Sequence, residues 1–476
     1  MFDTRLVKTR RTAPRSARQK YFVRRTAERP NDDAPLNLDV IIAGGGLGGL
    51  FVAICLIRKG FNVTVLEKTN EYKPEGGPIQ LASNGMGVVH AVSPELAKII
   101  QSVSRPFWGT KSGIIDGLTS EWMFTFDAIT EIPAAQDLPF SVCIDRSDLQ
   151  IALLKEIENL CGKESNVVRL GTCVRRYEEL DTGIQITLEN GSILKGDLLI
   201  GADGIWSTVR AQLFREASNS IKERFAVASY AGFKLFSGLP LYVSDDFLEI
   251  GYSAFIGPDH YFVVCPDRFG RVQWYAFVKA EPLTAKVTNA KSMLLELFEK
   301  WSPQVRGLIF ATSEDEILQR DLLDRAPSIS QSWASSYVTL IGDSCHATMP
   351  NIGQGTGLAF EDAYVLANML VLARSRSDIP NILQQFYRKR LIRTAAVQGL
   401  GRLNSEAIKL LTPLLPIRPL VDFVLSPILP KIFELQFGYC YSFCPFKISS
   451  EESKKTAIEM KCRHTSETQQ AWKNKV

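Results

Sequence analysis

Residues 36–70 read "LNLDVIIAGGGLGGLFVAICLIRKGFNVTVLEKTN", and their order decides the fold. A β-branched run from Leu38 to Ala43 leads straight into glycines at 44, 46 and 49, spaced G-x-G-x-x-G. An apolar stretch from Leu50 to Arg58 follows, closed by Gly60, and a second strand-like run from Phe61 to Leu66 stops at Glu67. Strand, glycine turn, helix, strand and acid come in the order of a parallel βαβ unit. The glycines permit a tight turn and bring backbone close to a pyrophosphate, which the N–H groups and dipole of the helix start attract. An acid about 20 residues on suits a ribose hydroxyl. This reads as a dinucleotide site, and the turn alone does not choose between nicotinamide and flavin forms.

Two later strands end in the same manner. "GDLLIGADGIWSTVR" (196–210) runs into Ala202-Asp203-Gly204, and "YVTLIGDSCHATMP" (337–350) runs into Gly342-Asp343. Three strands thus deliver polar residues at their carboxyl ends, where open α/β sheets bind ligands. A GxGxxG strand, then a DG strand, then a GD strand resembles the single-component FAD-dependent aromatic-hydroxylase class of monooxygenases. "GGPIQLASNG" (76–85), "GYSAFIG" (251–257), "HYFV" (260–263), "QWYAFVK" (273–279) and "MPNIGQG…EDAY" (349–364) resemble its zeaxanthin epoxidase branch, over residues 36 to about 400.

That resemblance implies an α/β fold: a Rossmann-like FAD-binding domain with an interleaved β-rich substrate domain and a helical C-terminal segment. It implies FAD held by Gly44, Gly46, Leu47, Gly49, Glu67, Lys68, Arg146, Gln150, Asp203, Asp343, Pro350, Gly353, Gln354 and Gly355. Within this set Asp343 serves the ribityl chain, Arg146 and Gln150 the diphosphate, and Asp203 and Gly204 lie near the pyrophosphate. The loop after Asp343 wraps the flavin ring, with Pro350 and Gly353 beside it. Physically the loop suits this, because its glycines let backbone reach a flat ring. The helix from Gly355 or Thr356 to Leu370 points its N-terminus where reduced flavin carries negative charge. The chemistry then belongs to a flavin hydroperoxide, and no catalytic side chain and no metal is assigned; the protein supplies orientation and a dry pocket.

Plainer readings stand beside several of these. Asp203 reads equally as a helix cap, and Ser147 and Asp148 as caps of the helix that carries Arg146 and Gln150. His346 reads as a structural histidine rather than a base. Glu361 and Asp362 are accounted for by the dipole of their own helix. On the strand "RVQWYAFVK", Trp274 shares a face with Val272 and Ala276, while Tyr275 and Phe277 point the other way; the pattern does not say which face meets a ligand. Gln80, Tyr252, Phe255, Trp274, Tyr275 and Phe277 are the candidate substrate contacts, with a core role for the aromatics as the alternative.

The remaining features set limits. The 476 residues carry a net +4, but residues 1–30 alone hold +8, so the other 446 sum to −4 and a basic body tracking nucleic acid is excluded. Residues 1–33 are Arg-rich without an apolar core, as a transit peptide or a disordered basic arm would be. Nine scattered cysteines without CxxC fit reduced thiols, Cys440 and Cys444 among them as small apolar residues. The four histidines lie far apart, and no zinc pattern is present. Residues 410–443 are strongly apolar, but prolines at 413, 416, 419, 427 and 430 leave no run near the ~20 residues a spanning helix needs. That segment lies at a membrane surface or caps the active site.

The expected organisation is an arm at 1–33; an FAD-binding domain in three pieces, 36–104, 141–215 and 321–400; a substrate domain at 105–140 and 216–320; an apolar helical segment at 401–446; and a loose polar tail at 447–476. The expected activity is oxygen insertion from O2 into the ring double bond of a carotenoid such as zeaxanthin. Carotenoid hydroxylation, NAD(P)H-dependent aromatic hydroxylation and a non-catalytic flavoprotein are the alternatives. The donor is NAD(P)H or reduced ferredoxin, the expected place is a plastid, and a peripheral membrane surface is the expected partner.

Overall fold

In the computed structural model the described residues are 36–73, 77–216, 228–240, 247, 249–282, 286–327, 329–411 and 428–473. The basic arm at 1–33 and residues 412–427 of the apolar segment lie outside them. The strand Asp39–Ala43 is flanked by Leu198–Gly201 and Asn62–Leu66 in a five-stranded sheet completed by Val338–Leu340 and Val168–Arg169, every pair parallel. All three motif strands therefore sit side by side and end at one edge. Such a sheet is buried on both faces, which is why these strands are near-continuous aliphatic runs. The helix Leu47–Ile57 covers one face and packs against Gly355–Leu370, with the rings of Phe51 and Phe360 stacked 4.0 Å apart.

A second sheet of seven strands runs in the order Leu318–Asp324, Ser229–Gly238, Val272–Lys279, His260–Pro266, Ile250–Ile256, Lys111–Asp116, Trp122–Thr125. The strand Leu318–Asp324 pairs with Ser229–Gly238, so this sheet runs past the boundary expected at 320. Pro78–Leu81, Val142–Asp145 and Ser104–Pro106 form a third, short sheet.

The seven-stranded sheet has two covered faces. Behind it the helices Ala290–Leu297 and Pro303–Ala311 close a core of Phe255, Phe262, Trp274, Phe298 and Trp301. In front, Phe233, Tyr261 and Phe277 belong to a different core, which also takes Phe437, Cys440 and Tyr441 from the helix Leu429–Tyr441.

The tail expected to be loose instead folds as a helix, Ser450–Lys473. It buries Ser453, Ala457 and Met460, and Lys461 Nζ donates to Gly109 O at 2.8 Å. Among the described residues no helix is long and apolar enough to cross a membrane.

Candidate active site

The glycine turn is built by close approach. Gly44 has φ +105°, a conformation that side chains rarely adopt, and its N–H donates to Leu66 O at 2.8 Å, tying the turn to the second strand. A Cβ on Gly49 would lie 1.9 Å from Gly44 O, so the third glycine serves the packing of helix on strand and does not line the cavity. A Cβ on Gly46 would meet nothing within 4 Å: that side is open. Glu67 accepts from Gly45 N at 2.7 Å and from Thr69 N at 2.9 Å, bracing the turn from the end of the second strand. A carboxylate takes about four donors, so capacity for ribose hydroxyls remains. Around the turn lies a cavity of about 680 Å³, lined by Gly44, Gly46, Glu67, Lys68, Arg146, Gln150 and Asp203. Tyr72 and Trp206 also line it; sequence reading missed both, Tyr72 because it lies outside the motifs and Trp206 because the stretch 196–210 was read only for Asp203, Gly204 and Arg210.

Asp203 does two things. Its Oδ2 accepts from Thr208 N at 2.8 Å and Val209 N at 3.3 Å, capping the helix Thr208–Phe214, while its buried Oδ1 has no partner. Burial raises its pKa against the hydrogen bonds that lower it. The cap at the start of Arg146–Cys161 differs from expectation: the N-cap is Asp145, and Ser147 and Asp148 lie within the first turn.

A second cavity, about 400 Å³, shares Gly46, Arg146, Ala202 and Gly204 with the first. One wall comes from the parallel sheet and its loops: Leu47, Asp343, Pro350, Gly353 and Gly355. The other comes from the front of the seven-stranded sheet and its neighbour: Gln80, Tyr252, Tyr275 and Phe277. Asp343 is buried there, which raises its pKa against the lowering effect of His346 and Arg146.

Three expected contacts fall elsewhere. Phe255 and Trp274 project to the rear core, because they lie an odd number of positions from Tyr252 and Tyr275 on their strands. Gln354 is buried outside the cavity wall, its Oε1 accepting from Asn84 Nδ2 at 3.0 Å.

Two families, each described as an FAD binding domain, match this chain, one over residues 155–399 and the other over 39–123. The chain belongs to the FAD-binding domain family. The joined cavities offer features that suit such a cofactor: the open side of Gly46 and the unpartnered Asp203 Oδ1. The chain is 36% identical over 390 residues to "Zeaxanthin epoxidase, chloroplastic" of Prunus armeniaca, covering 79% of this chain and 56% of that protein. It is 36% identical over 382 residues to the protein of the same name from Spinacia oleracea, covering 77% and 54%. The chain thus spans about half the length of these curated relatives. Among solved structures, Klebsiella pneumoniae HpxO complexed with FAD and uric acid superposes with a TM-score of 0.70 at 24% identity, over 87% of this chain and 100% of that one. A salicylate hydroxylase substrate complex gives 0.64 at 20%, over 85% and 98%. These two show a shared fold.

The helix Gly355–Leu370 carries half of a buried charge network that the sequence did not disclose. Glu361 and Asp362 are fully buried. Arg390 donates to Asp362 at 2.7 Å and to Glu361 at 2.8 Å; Arg393 donates to Glu361 at 2.7 Å and to Cys440 O at 2.6 Å. Burial alone would raise both carboxyls, and the two arginines and His346 outweigh it and hold them low. These acids are therefore not dipole partners of their own helix but half of an ion cluster. Asn84 bonds Glu361 at 2.7 Å as well as Gln354, linking the cluster to the loop beside the cavity.

His346 Nε2 lies 2.6 Å from Asp362, which fits the structural reading. Burial opposes its protonation; Cys345 and Asp362 outweigh burial and raise it well above its ordinary range. Asp362 is the partner that carries charge, since burial raises the Cys345 thiol. Ligand atoms of Cys345, His346 and Asp362 lie within 4.8 Å of one another. Asp362 already faces the Arg390 guanidinium, so a metal cation there would meet a fixed positive charge.

Proposed function

We propose that this chain is an FAD-dependent monooxygenase that places one oxygen atom of O2 on the ring double bond of a carotenoid, as a zeaxanthin epoxidase does. The observation that carries the reading is the 400 Å³ cavity: among the described residues Arg146 and Asp343 are its only charged lining residues, and aromatic and aliphatic side chains form the opposite wall. An apolar ring fits such a wall, and few polar groups are available to fix it. FAD, when bound, supplies the oxygen chemistry. The chain's share is to hold and orient. Gly46 and Arg146 receive the diphosphate, Glu67 and Lys68 the ribose end, and Asp343 the ribityl chain. Pro350, Gly353 and Gly355 bear on the ring. The helix Gly355–Leu370 has no acid in its first turn and offers its N–H groups to negative charge. Tyr252, Tyr275 and Phe277 orient the substrate and keep water out, and Gln80, whose Nε2 has no partner, donates to a substrate oxygen.

The same reading divides the chain into an FAD-binding part around the parallel sheet and a substrate part around the seven-stranded sheet. It places the protein in a plastid, supported by the basic arm at 1–33 and the names of the relatives. It seats the helix Leu429–Tyr441 on a membrane surface. Ile428, Ile432, Leu435 and Tyr439 recur at helical spacing and remain exposed, Leu435 at 77%, and Lys431 lies among them. Leu435→Asp should weaken vesicle binding and leave FAD bound; unchanged vesicle binding would remove the membrane from the proposal.

The deciding experiment gives the purified flavoprotein zeaxanthin in liposomes under isotopically heavy O2, with reduced ferredoxin in one tube and NADPH in another. Label in a ring epoxide supports the reading and names the donor. Label in a hydroxyl overturns epoxidation, and turnover of a small phenol with zeaxanthin untouched overturns the substrate class.

A further inference from the structure

Cys143 and Cys265 face each other between the short three-stranded sheet and the seven-stranded sheet. Cys143 belongs to the strand Val142–Asp145, where it is paired with Gln80 on one side and Arg105 on the other. Cys265 belongs to His260–Pro266 of the seven-stranded sheet and lines the 400 Å³ cavity beside Tyr252 and Tyr275. Their sulfurs are 2.9 Å apart, against about 2.05 Å for a bonded pair. Both thiols are free, with Cys143 1% and Cys265 3% exposed. A reagent therefore reaches the pair through the cavity, and meets Cys265 first.

We propose that Cys143 and Cys265 are a peroxide-operated dithiol switch that, when oxidised, fastens the seven-stranded sheet to the short three-stranded sheet at the cavity wall.

The chemistry balances with hydrogen peroxide as the oxidant. Cys265 sulfur attacks one peroxide oxygen, the O–O bond breaks, and the thiol proton leaves with the departing hydroxide as water, giving a sulfenic acid. Cys143 sulfur then attacks Cys265 sulfur, the S–O bond breaks, and the Cys143 proton leaves with that hydroxide as a second water. The two thiols give up two electrons and the peroxide takes them.

The surroundings divide the roles. Arg105, whose backbone pairs with Cys143 across the short sheet, lies within electrostatic reach of both sulfurs. Asp145 and Asp267 act against the anionic form of Cys143. The contact with Cys265, and then burial, push the Cys143 thiol well above its ordinary range, which suits the resolving member of the pair rather than the first attacker. The remaining cysteines offer no comparable pairing: among the described residues Cys143 and Cys265 form the one sulfur–sulfur contact, and the exposed Cys161 and Cys462 serve as internal controls.

The inference stands on the cavity and does not depend on which substrate fills it. The test treats the FAD-loaded full chain with hydrogen peroxide, blocks residual thiols, and maps peptides without reduction. A Cys143–Cys265 linked peptide is expected, lost on adding a dithiol reductant, together with a raised unfolding midpoint that the reductant reverses. In Cys143→Ser the peptide should be replaced by a sulfenic acid at Cys265, trapped by dimedone; in Cys265→Ser neither should form. Oxidation confined to Cys161 and Cys462, or dimedone labelling of Cys143 ahead of Cys265, would overturn the switch. Because no oxygen insertion is measured, failure of the carotenoid reading leaves this result standing, and the reverse also holds.

Discussion

Trp274 and Tyr275 are consecutive on one strand and serve opposite faces of the seven-stranded sheet. The indole is fully buried in the rear core and donates from Nε1 to Thr312 Oγ1 at 2.8 Å. The phenol lines the cavity and donates to Pro78 O at 3.1 Å. Trp274→Ala should therefore cost ~3–5 kcal/mol of stability, the range for emptying an aromatic site in a packed core. Tyr275→Phe should cost only ~1 kcal/mol, one hydrogen bond, and act on ligand affinity instead. Urea unfolding of both variants, with ligand titration of the second, reads the difference. Equal losses would contradict the division of faces.

The glycines of the turn at 44–49 should separate folding from cofactor binding. Gly46→Ala places a methyl in open space at φ −71°, a conformation any residue adopts, so the apo protein should keep its stability within ~0.5 kcal/mol. The methyl nonetheless occupies the side through which the diphosphate approaches, and the protein should purify with little yellow flavin. Gly49→Ala drives a methyl to 1.9 Å from Gly44 O, and backbone must shift; a loss of ~1–3 kcal/mol is expected in the apo protein itself. Flavin absorbance per chain and apo unfolding curves give the two readings. A Gly46→Ala protein that retains tightly bound FAD would remove the turn from the cofactor site.

What the sequence disclosed, and what it hid, follows the range of the interactions. The GxGxxG unit, the DG and GD strand ends and the helix from Gly355 are set by residues adjacent in the chain, and spacing reveals them. On Val272–Lys279 the alternation is plain, but both faces are apolar, and only the helices at 290–311 decide that Trp274 is the interior one. Glu361 and Asp362 find their partners about 30 residues on, in Arg390 and Arg393, which lie on another helix; no local pattern announces that pairing. The segment Ser450–Lys473 reads as loose in the sequence because its buried side is modest. Ser453, Ala457 and Met460 do not make a legible stripe.

The buried cluster should be costly to break and cheap nowhere. Arg390→Met removes the guanidinium shared by Glu361 and Asp362 and leaves two acids in the interior with reduced compensation. A loss of ~3–5 kcal/mol is expected, as for other buried pairs deprived of one partner. Lys279→Ala breaks a 3.9 Å pair with Asp259 in which both side chains are 72% exposed, and should cost under ~1 kcal/mol. Denaturant unfolding of the two variants side by side tests the contrast, and comparable losses would show that the cluster is not held in a dry interior.

Asp145 gives the fold a pH dependence with a definite sign. It stands at the N-cap position of the helix that carries Arg146 and Gln150, without a side-chain capping hydrogen bond. Burial, then Asp267 and Asp148, raise its carboxyl from 3.8 to about 6 against the opposing Arg271 and Arg268. A carboxyl raised in the folded state binds its proton more tightly there than in the unfolded chain. Its contribution is thus most favourable below 3.8, declines as pH rises through that window, and levels off above about 6. Asp145→Asn fixes the group in a neutral form and should remove this component. The quantity to measure is the unfolding free energy of wild type minus that of Asp145→Asn across the window. It should fall with rising pH and then flatten. A difference that rises with pH would mean that Arg271 and Arg268 dominate the site and hold Asp145 charged.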